Sequence, residues 1–165
     1  SQELIEAFVR LNKGKKLTNM EIFKADLGKK IIFLNEMIKT DFFKIINVQN
    51  NDRGQVHDIA LSMLLIETNN NTGLSKSEKE AFVKTVNNFT DFSKAIKDST
   101  MNKLDYLGKV FDRAEYLSLK SKDKYLKKTH IIQLFILSKY AMRNNISAEN
   151  FFKWANSFFF EKKRC

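Results

Sequence analysis

Asn12, Lys13, Gly14, Lys15 and Lys16 stand just before Thr18 and Glu21, a combination suited to an anion. Thr18 and Glu21 have the spacing of a capping box, in which the hydroxyl accepts from one orphan helical N–H and the carboxylate reaches back to another. The spacing predicts a helix from about Thr18. A helix N-terminus carries partial positive charge and unpaired N–H groups that suit phosphate. Three lysines would add charge, Gly14 would permit close backbone approach, and the Asn12 amide would fix the loop or a polar ligand group. The spacing is not that of a Walker loop, and no parallel strand precedes it. A solvated helix connection uses the same residues, and the local sequence leaves both readings open.

Other chemistry-bearing residues are sparse. His57 adjoins Asp58, but neighbours on a helix point about 100° apart, so a capping or surface role fits better than a base with its orienter. Arg53 is a candidate anion or nucleic-acid contact, and equally a partner for Asp52 or Asp58. His130 lies in an apolar stretch and reads as a core or boundary residue. No Cys/His/carboxylate spacing suggests zinc. Cys165, the one cysteine, cannot form an internal disulfide, and the chain shows no signal peptide, so a cytoplasmic location is expected. Lys120, Lys122, Lys124, Lys127 and Lys128 form the densest basic cluster, at a predicted helix junction. They read as a solvated face or as nucleic-acid contacts.

The segment from Phe8 to Glu21 resembles the FxxxN-plus-loop segment of the domain forming the N-terminal half of GmrSD-type modification-dependent restriction endonucleases. Phe8 and Asn12 match the motif, and Gly14, Leu17 and Glu21 fall in step with it. The resemblance extends through Asn51-Asp52-Arg53 and the segment from Ile146 to Phe152. It implies the helical part of a ParB/sulfiredoxin-like nucleotide-hydrolysing module that controls DNA cleavage in phage defence. Phe8 would anchor the motif by burial. The implied partners are an upstream ParB-like half of the same domain, DNA and a nuclease domain. A nucleotide triphosphate would serve the intact parent, with no cofactor held by this stretch alone. The family's upstream Asp-Gly-Gln-Gln-Arg motif does not occur in these residues, nor does a His-Asn-His nuclease pattern. With Ser1-Gln2 opening directly on a helical pattern, the chain reads as the second half of a larger α+β domain, catalytically silent by itself.

The elements that must position these residues are helices. Average usage would supply about eight prolines in a chain this long; there are none among 165 residues, and glycines number five. Proline breaks helix interiors, so its absence favours long helices. A hydrophobic fraction of 43% suffices for a real core. The apolar runs Ile59–Ile66 and Ile131–Leu137 are far shorter than the roughly 18 residues of a membrane span. The expected class is all-α, an irregular bundle of about seven helices in a single domain over residues 1–165.

Seven segments carry helical periodicity. One covers Glu3–Leu11; the next, Thr18–Asn35, places Met20, Phe23, Leu27, Ile31 and Leu34 on one face. Met37–Ile46 continues that second segment helically, and Val56–Thr68, apolar all round, belongs in an interior. Ser75 to Glu78 is a second capping box, opening a helix to about Asp98. After Ser99 and Thr100 another runs to about Leu119, with Leu104, Leu107, Val110, Phe111 and Ala114 inward. Lys124–Arg143 is again apolar on most sides, and Ser147 caps a last helix rich in aromatics. There Phe151, Phe158 and either Trp154 or Ala155 are expected in the core, leaving Phe152, Phe159 and Phe160 for a partner surface.

The formal charge of +10 is uneven. Residues 101–165 carry fourteen basic against six acidic side chains, whereas residues 51–100 carry six against seven. Such a field attracts polyanions without defining a sequence-specific site. This supports a reading of a different class from the restriction-related one: a non-enzymatic helical module that binds nucleic acid or a protein partner through its basic C-terminal third.

Overall fold

The structure, a computed structural model, describes residues 2–3, 28–46, 55–69, 78–79, 91–121 and 126–161. Among these the class is all-α, with seven helices and no strand: α1 (Lys30–Ile38), α2 (Asp41–Ile45), α3 (Gln55–Asn69), α4 (Lys94–Phe111), α5 (Ala114–Ser121), α6 (Lys128–Arg143) and α7 (Ala148–Phe159). The chain divides into two compact units, Ser1–Ile38 with Asn50–Lys97 and Lys39–Gln49 with Asp98–Cys165.

In the first unit α1 packs on α3. Phe33, Leu34 and Met37 of α1 are buried, as is every residue of α3 from Ile59 to Leu65. Ser62 is tolerated there because its hydroxyl donates to the Asp58 carbonyl at 2.9 Å, removing the cost of an unmade hydrogen bond. The expected unbroken helix from Thr18 to Asn35 is corrected by a turn at Gly28–Lys29. Gly28 adopts φ 56°, a left-handed conformation open to glycine, and its carbonyl accepts from Ile31 N–H at 3.3 Å as α1 begins.

A second correction concerns the junction expected at Ser99 and Thr100. Both lie inside α4, where Thr100 is fully buried, and the break comes earlier, at Asp91–Ser93. Asp91 accepts from the Phe92 N–H at 2.8 Å, and the Ser93 hydroxyl accepts from the Ile96 N–H at 3.3 Å. These short polar side chains satisfy backbone donors locally, which favours the start of α4 here.

The second unit is organised around aromatic rings. Phe111 meets Phe42, Tyr116 and Phe152 at centroid separations of 5.9, 5.0 and 5.9 Å, within the range where edge and tilted pairs are favourable. Gly108 of α4 lies against the start of α2, where a Cβ would meet the Phe42 nitrogen at 3.5 Å, an ordinary contact distance. The expected continuous segment Met37–Ile46 is broken by Thr40, whose extended backbone (ψ 157°) separates α1 from α2. The helix expected to reach Leu119 stops at Phe111, because Arg113 turns back onto its end. The Arg113 side chain donates to the Val110 and Lys109 carbonyls at 2.6 and 3.4 Å. After that break Tyr116 takes the buried position and Ala114 is exposed.

Candidate functional site

The site is built on the hairpin of α6 and α7. Helix α6 ends in a Schellman motif: Asn145, at φ 53°, donates to the Met142 carbonyl at 3.2 Å, and Ile146 N–H reaches the Ala141 carbonyl at 2.9 Å. Asparagine tolerates this left-handed position better than most side chains. Ser147 then caps α7, its hydroxyl accepting from the Asn150 N–H at 3.2 Å. Tyr106 ties the turn to α4 by donating to the Ile146 carbonyl at 2.8 Å, and burial holds its phenol above its ordinary pKa.

With the reversal fixed, α7 buries Phe151, Phe152 and Ala155. Phe158 was expected inside and Phe152 outside; the structure reverses both. Trp154 and Phe158, one turn apart, stay 42% and 48% exposed. Their rings stack at 5.3 Å with an interplanar angle of 19°. The ring of Phe159, half-buried, meets both edge-on, at 6.0 and 4.9 Å. Helical geometry accounts for this arrangement, since residues four apart share a stripe. The aromatics of this helix occupy two stripes, only one of which faces the core.

The charge of the preceding segment has one sign. Residues 126–148 contain Lys127, Lys128, Lys139 and Arg143 and no acidic residue. Lys127 precedes α6 and is exposed, and Lys128 is its first residue. Lys127 lies close enough to His130 to disfavour a second positive charge there; burial and then this neighbour hold the imidazole below its ordinary pKa. His130 in turn meets Phe159 in a tilted contact, centroids 4.6 Å apart at 40°. The acidic residues of α7 and its end are engaged: Glu149 pairs with Lys153 at 3.4 Å, and Glu161 accepts from Ser157 Oγ at 3.2 Å. Lys127, the imidazole and the partly exposed stacked pair thus follow one another by way of Phe159.

Two other polar groupings are present. In the first unit Lys79 and Asp58 form an ion pair at 2.8 Å with side chains only 8% and 20% exposed, while His57 Nε2 lies 3.0 Å from Asn35 Oδ1. His57 and Asp58 therefore address different partners and do not form a base-and-orienter pair. Nearby, Lys97 pairs with Asp91 and lies over Phe33 at 5.9 Å, and buried Lys30 lies over Phe92 at 5.6 Å. The hydrogen bond from Lys97 holds the Asp91 carboxyl below its ordinary pKa; burial lowers that of Lys30. In the second unit an open cleft of about 400 Å³ is lined by Asp41, Lys44, Ile45, Asp105, Gly108, Lys109 and Asp112.

Of the residues singled out in the sequence, Phe8, Asn12, Lys13, Gly14, Lys15, Lys16, Arg53, Lys122 and Lys124 lie outside the described residues. Lys120 falls in the last turn of α5, apart in sequence from the α6 start that carries Lys127 and Lys128. Of these, Lys127 stands at the site, beside His130. Of the alternatives Trp154 and Ala155 it is Ala155 that is buried, and Phe158, expected inside, joins Trp154 at the surface, their spacing of four being the available signal. Among the described residues no group of His, Cys, Asp or Glu is placed to hold a metal, and no helix is long and apolar enough to cross a membrane. Comparison with protein-family models, curated proteins and solved structures returns no match for this chain.

Proposed function

We propose that this chain is a helical binding module that holds nucleic acid through the basic face of its C-terminal third. The observation carrying this reading is the combination on α6 and α7: four basic residues and no acidic one over residues 126–148, with Lys127 linked through His130 and Phe159 to two exposed stacked rings. Phosphates supply most of the affinity of such contacts, which makes them salt-dependent. If four cations engage, the logarithm of the affinity for a single strand should fall with that of salt with a slope of about −3. Titration of a labelled oligonucleotide at several salt concentrations tests this, with Lys127→Glu/Lys139→Glu as the variant. Absence of binding at low ionic strength ends the reading.

The restriction-related role is a second proposal, supported by the Phe8, Asn12, Gly14, Leu17 and Glu21 pattern. In it these helices complete a nucleotide-hydrolysing domain that licenses DNA cleavage. Calorimetric nucleotide titration of the intact parent, compared with Asn12→Ala and Lys16→Ala, tests it. Unchanged affinity in both variants removes it.

A further inference from the structure

We infer that Trp154 and Phe158 form a stacking platform for unpaired bases, so that the basic face of α6 and α7 takes single-stranded nucleic acid in preference to duplex. The inference deepens the binding reading above and rests on it.

Three features carry it. The first is ring presentation. Trp154 and Phe158 lie nearly parallel to each other at 5.3 Å, each close to half exposed, while Phe151 and Phe159 brace them from the sides at 5.6 Å to Trp154 and 4.9 Å to Phe158. A platform held in place loses little side-chain freedom on binding, and bases of any kind present a π-face to it. The second is charge complementarity: residues 126–148 bring only positive charge, and Lys127 stands beside His130, whose ring lies on Phe159. The third is the condition of the acidic residues. Glu149 is held by Lys153, which offsets its repulsion of a phosphate, while Glu161 accepts from the neutral Ser157 hydroxyl and retains its charge at the end of α7. A duplex can use the lysines, but its bases are stacked inside it and cannot lie on the rings. Only a single strand can use both.

Trp154 is the one tryptophan of the chain, so its emission reports the platform directly. The experiment titrates the full chain with a thymidine oligonucleotide and with a duplex of equal length, following tryptophan emission and the anisotropy of labelled nucleic acid. The single strand should quench Trp154 and bind more tightly than duplex. Phe158→Ala and Trp154→Ala should each weaken single-strand binding about tenfold, the scale of one stacked base, and leave duplex binding unchanged. Trp154→Phe should restore the affinity, which separates loss of the ring from loss of the fold; circular dichroism of each variant checks the helices.

Equal affinity for the two nucleic acids without quenching overturns the platform and leaves the basic-face reading standing. Binding of neither at low salt overturns both. Sedimentation showing a dimer that Trp154→Ala dissolves would give the rings to a second copy of the chain and overturn the platform as well.

Discussion

Helices α3 and α7 are both rich in large apolar side chains, yet they dispose of them in opposite ways. From Ile59 to Leu65 every residue of α3 is buried, and even Ser62 hydrogen-bonds its own helix. Helix α7 buries Phe151, Phe152 and Ala155 and leaves Trp154 and Phe158 in solvent. Apolar content is therefore a poor guide to role. A helix apolar on all sides must be covered to be stable, whereas one whose second stripe is aromatic can be anchored by the first and present the second.

The sharpest way to break this comparison is to truncate one residue on each helix. Leu64→Ala removes side-chain volume at a site with no exposure and should destabilise by about 3–4 kcal/mol through lost burial and the cavity left behind. Phe158→Ala removes a ring that is already half in water and should cost about 1 kcal/mol. Urea unfolding of both variants checks this. Similar losses would mean that the outer stripe of α7 is structural, and the contrast would fail.

The next largest effect concerns polar groups. Lys79→Ala leaves the Asp58 carboxylate, 20% exposed, without its 2.8 Å ion-pair partner, and should destabilise by about 3 kcal/mol. Lys153→Ala breaks an i,i+4 pair on the exposed side of α7 and should cost no more than about 0.5 kcal/mol. Denaturation midpoints measured at two salt concentrations sharpen the test, since the exposed pair is screened and the buried one much less.

These contrasts also show which features could be read from the sequence. Interior burial of α3 follows from the apolar run Ile59–Ile66, and the cap at Ser147 follows from a hydroxyl placed before a helical pattern. Both are local signals that the structure reproduces. The breaks were less legible. Asp112 and Arg113 separate α4 from α5 because the Arg113 side chain takes the carbonyls of the preceding turn, and nothing in an arginine's identity announces that role. Asp91–Ser93 breaks the pattern just before α4, whereas Ser99 and Thr100 have similar capping chemistry and lie inside the helix. The side chains that find a backbone donor are chosen by the surrounding packing. For the site, periodicity yields two aromatic stripes on α7, but which one turns inward is set by what Phe111 and Tyr106 offer on α4. Phe152 meets Phe111 at 5.9 Å and Phe151 meets Tyr106 at 5.7 Å, and those contacts select the inner stripe.

A smaller effect is expected at the turn that joins α6 to α7. Asn145 sits at φ 53°, a conformation costing most L-residues about 1 kcal/mol or more. Asn145→Ala should destabilise by about 1 kcal/mol, and Asn145→Gly should be neutral or mildly stabilising because glycine has no Cβ to strain. Thermal melts of the pair check it. If alanine were tolerated as well as glycine, the hairpin would not depend on that backbone geometry, and the position of the outer stripe would need another cause.

The smallest expected effect is a pH dependence at His130, where the basic edge meets the rings. Burial first and Lys127 second disfavour its protonated form in the fold, so its folded pKa lies below the ordinary 6.5 that it regains when unfolded. As pH falls below 6.5 the unfolded chain therefore takes up this proton first, and linkage makes the folded state progressively less stable until the folded pKa is passed, after which the loss levels off. Above 6.5 the imidazole is neutral in both states and contributes no slope. His130→Phe keeps a ring against Phe159 and removes the titration, so the stability difference between wild type and variant should move with pH only below 6.5. Taking that difference cancels the carboxylates, which titrate in both proteins. A flat difference between pH 7 and 5 would show that the imidazole is solvated alike in both states, and that the edge of the ring cluster beside Lys127 is more open than its 4.6 Å contact with Phe159 implies.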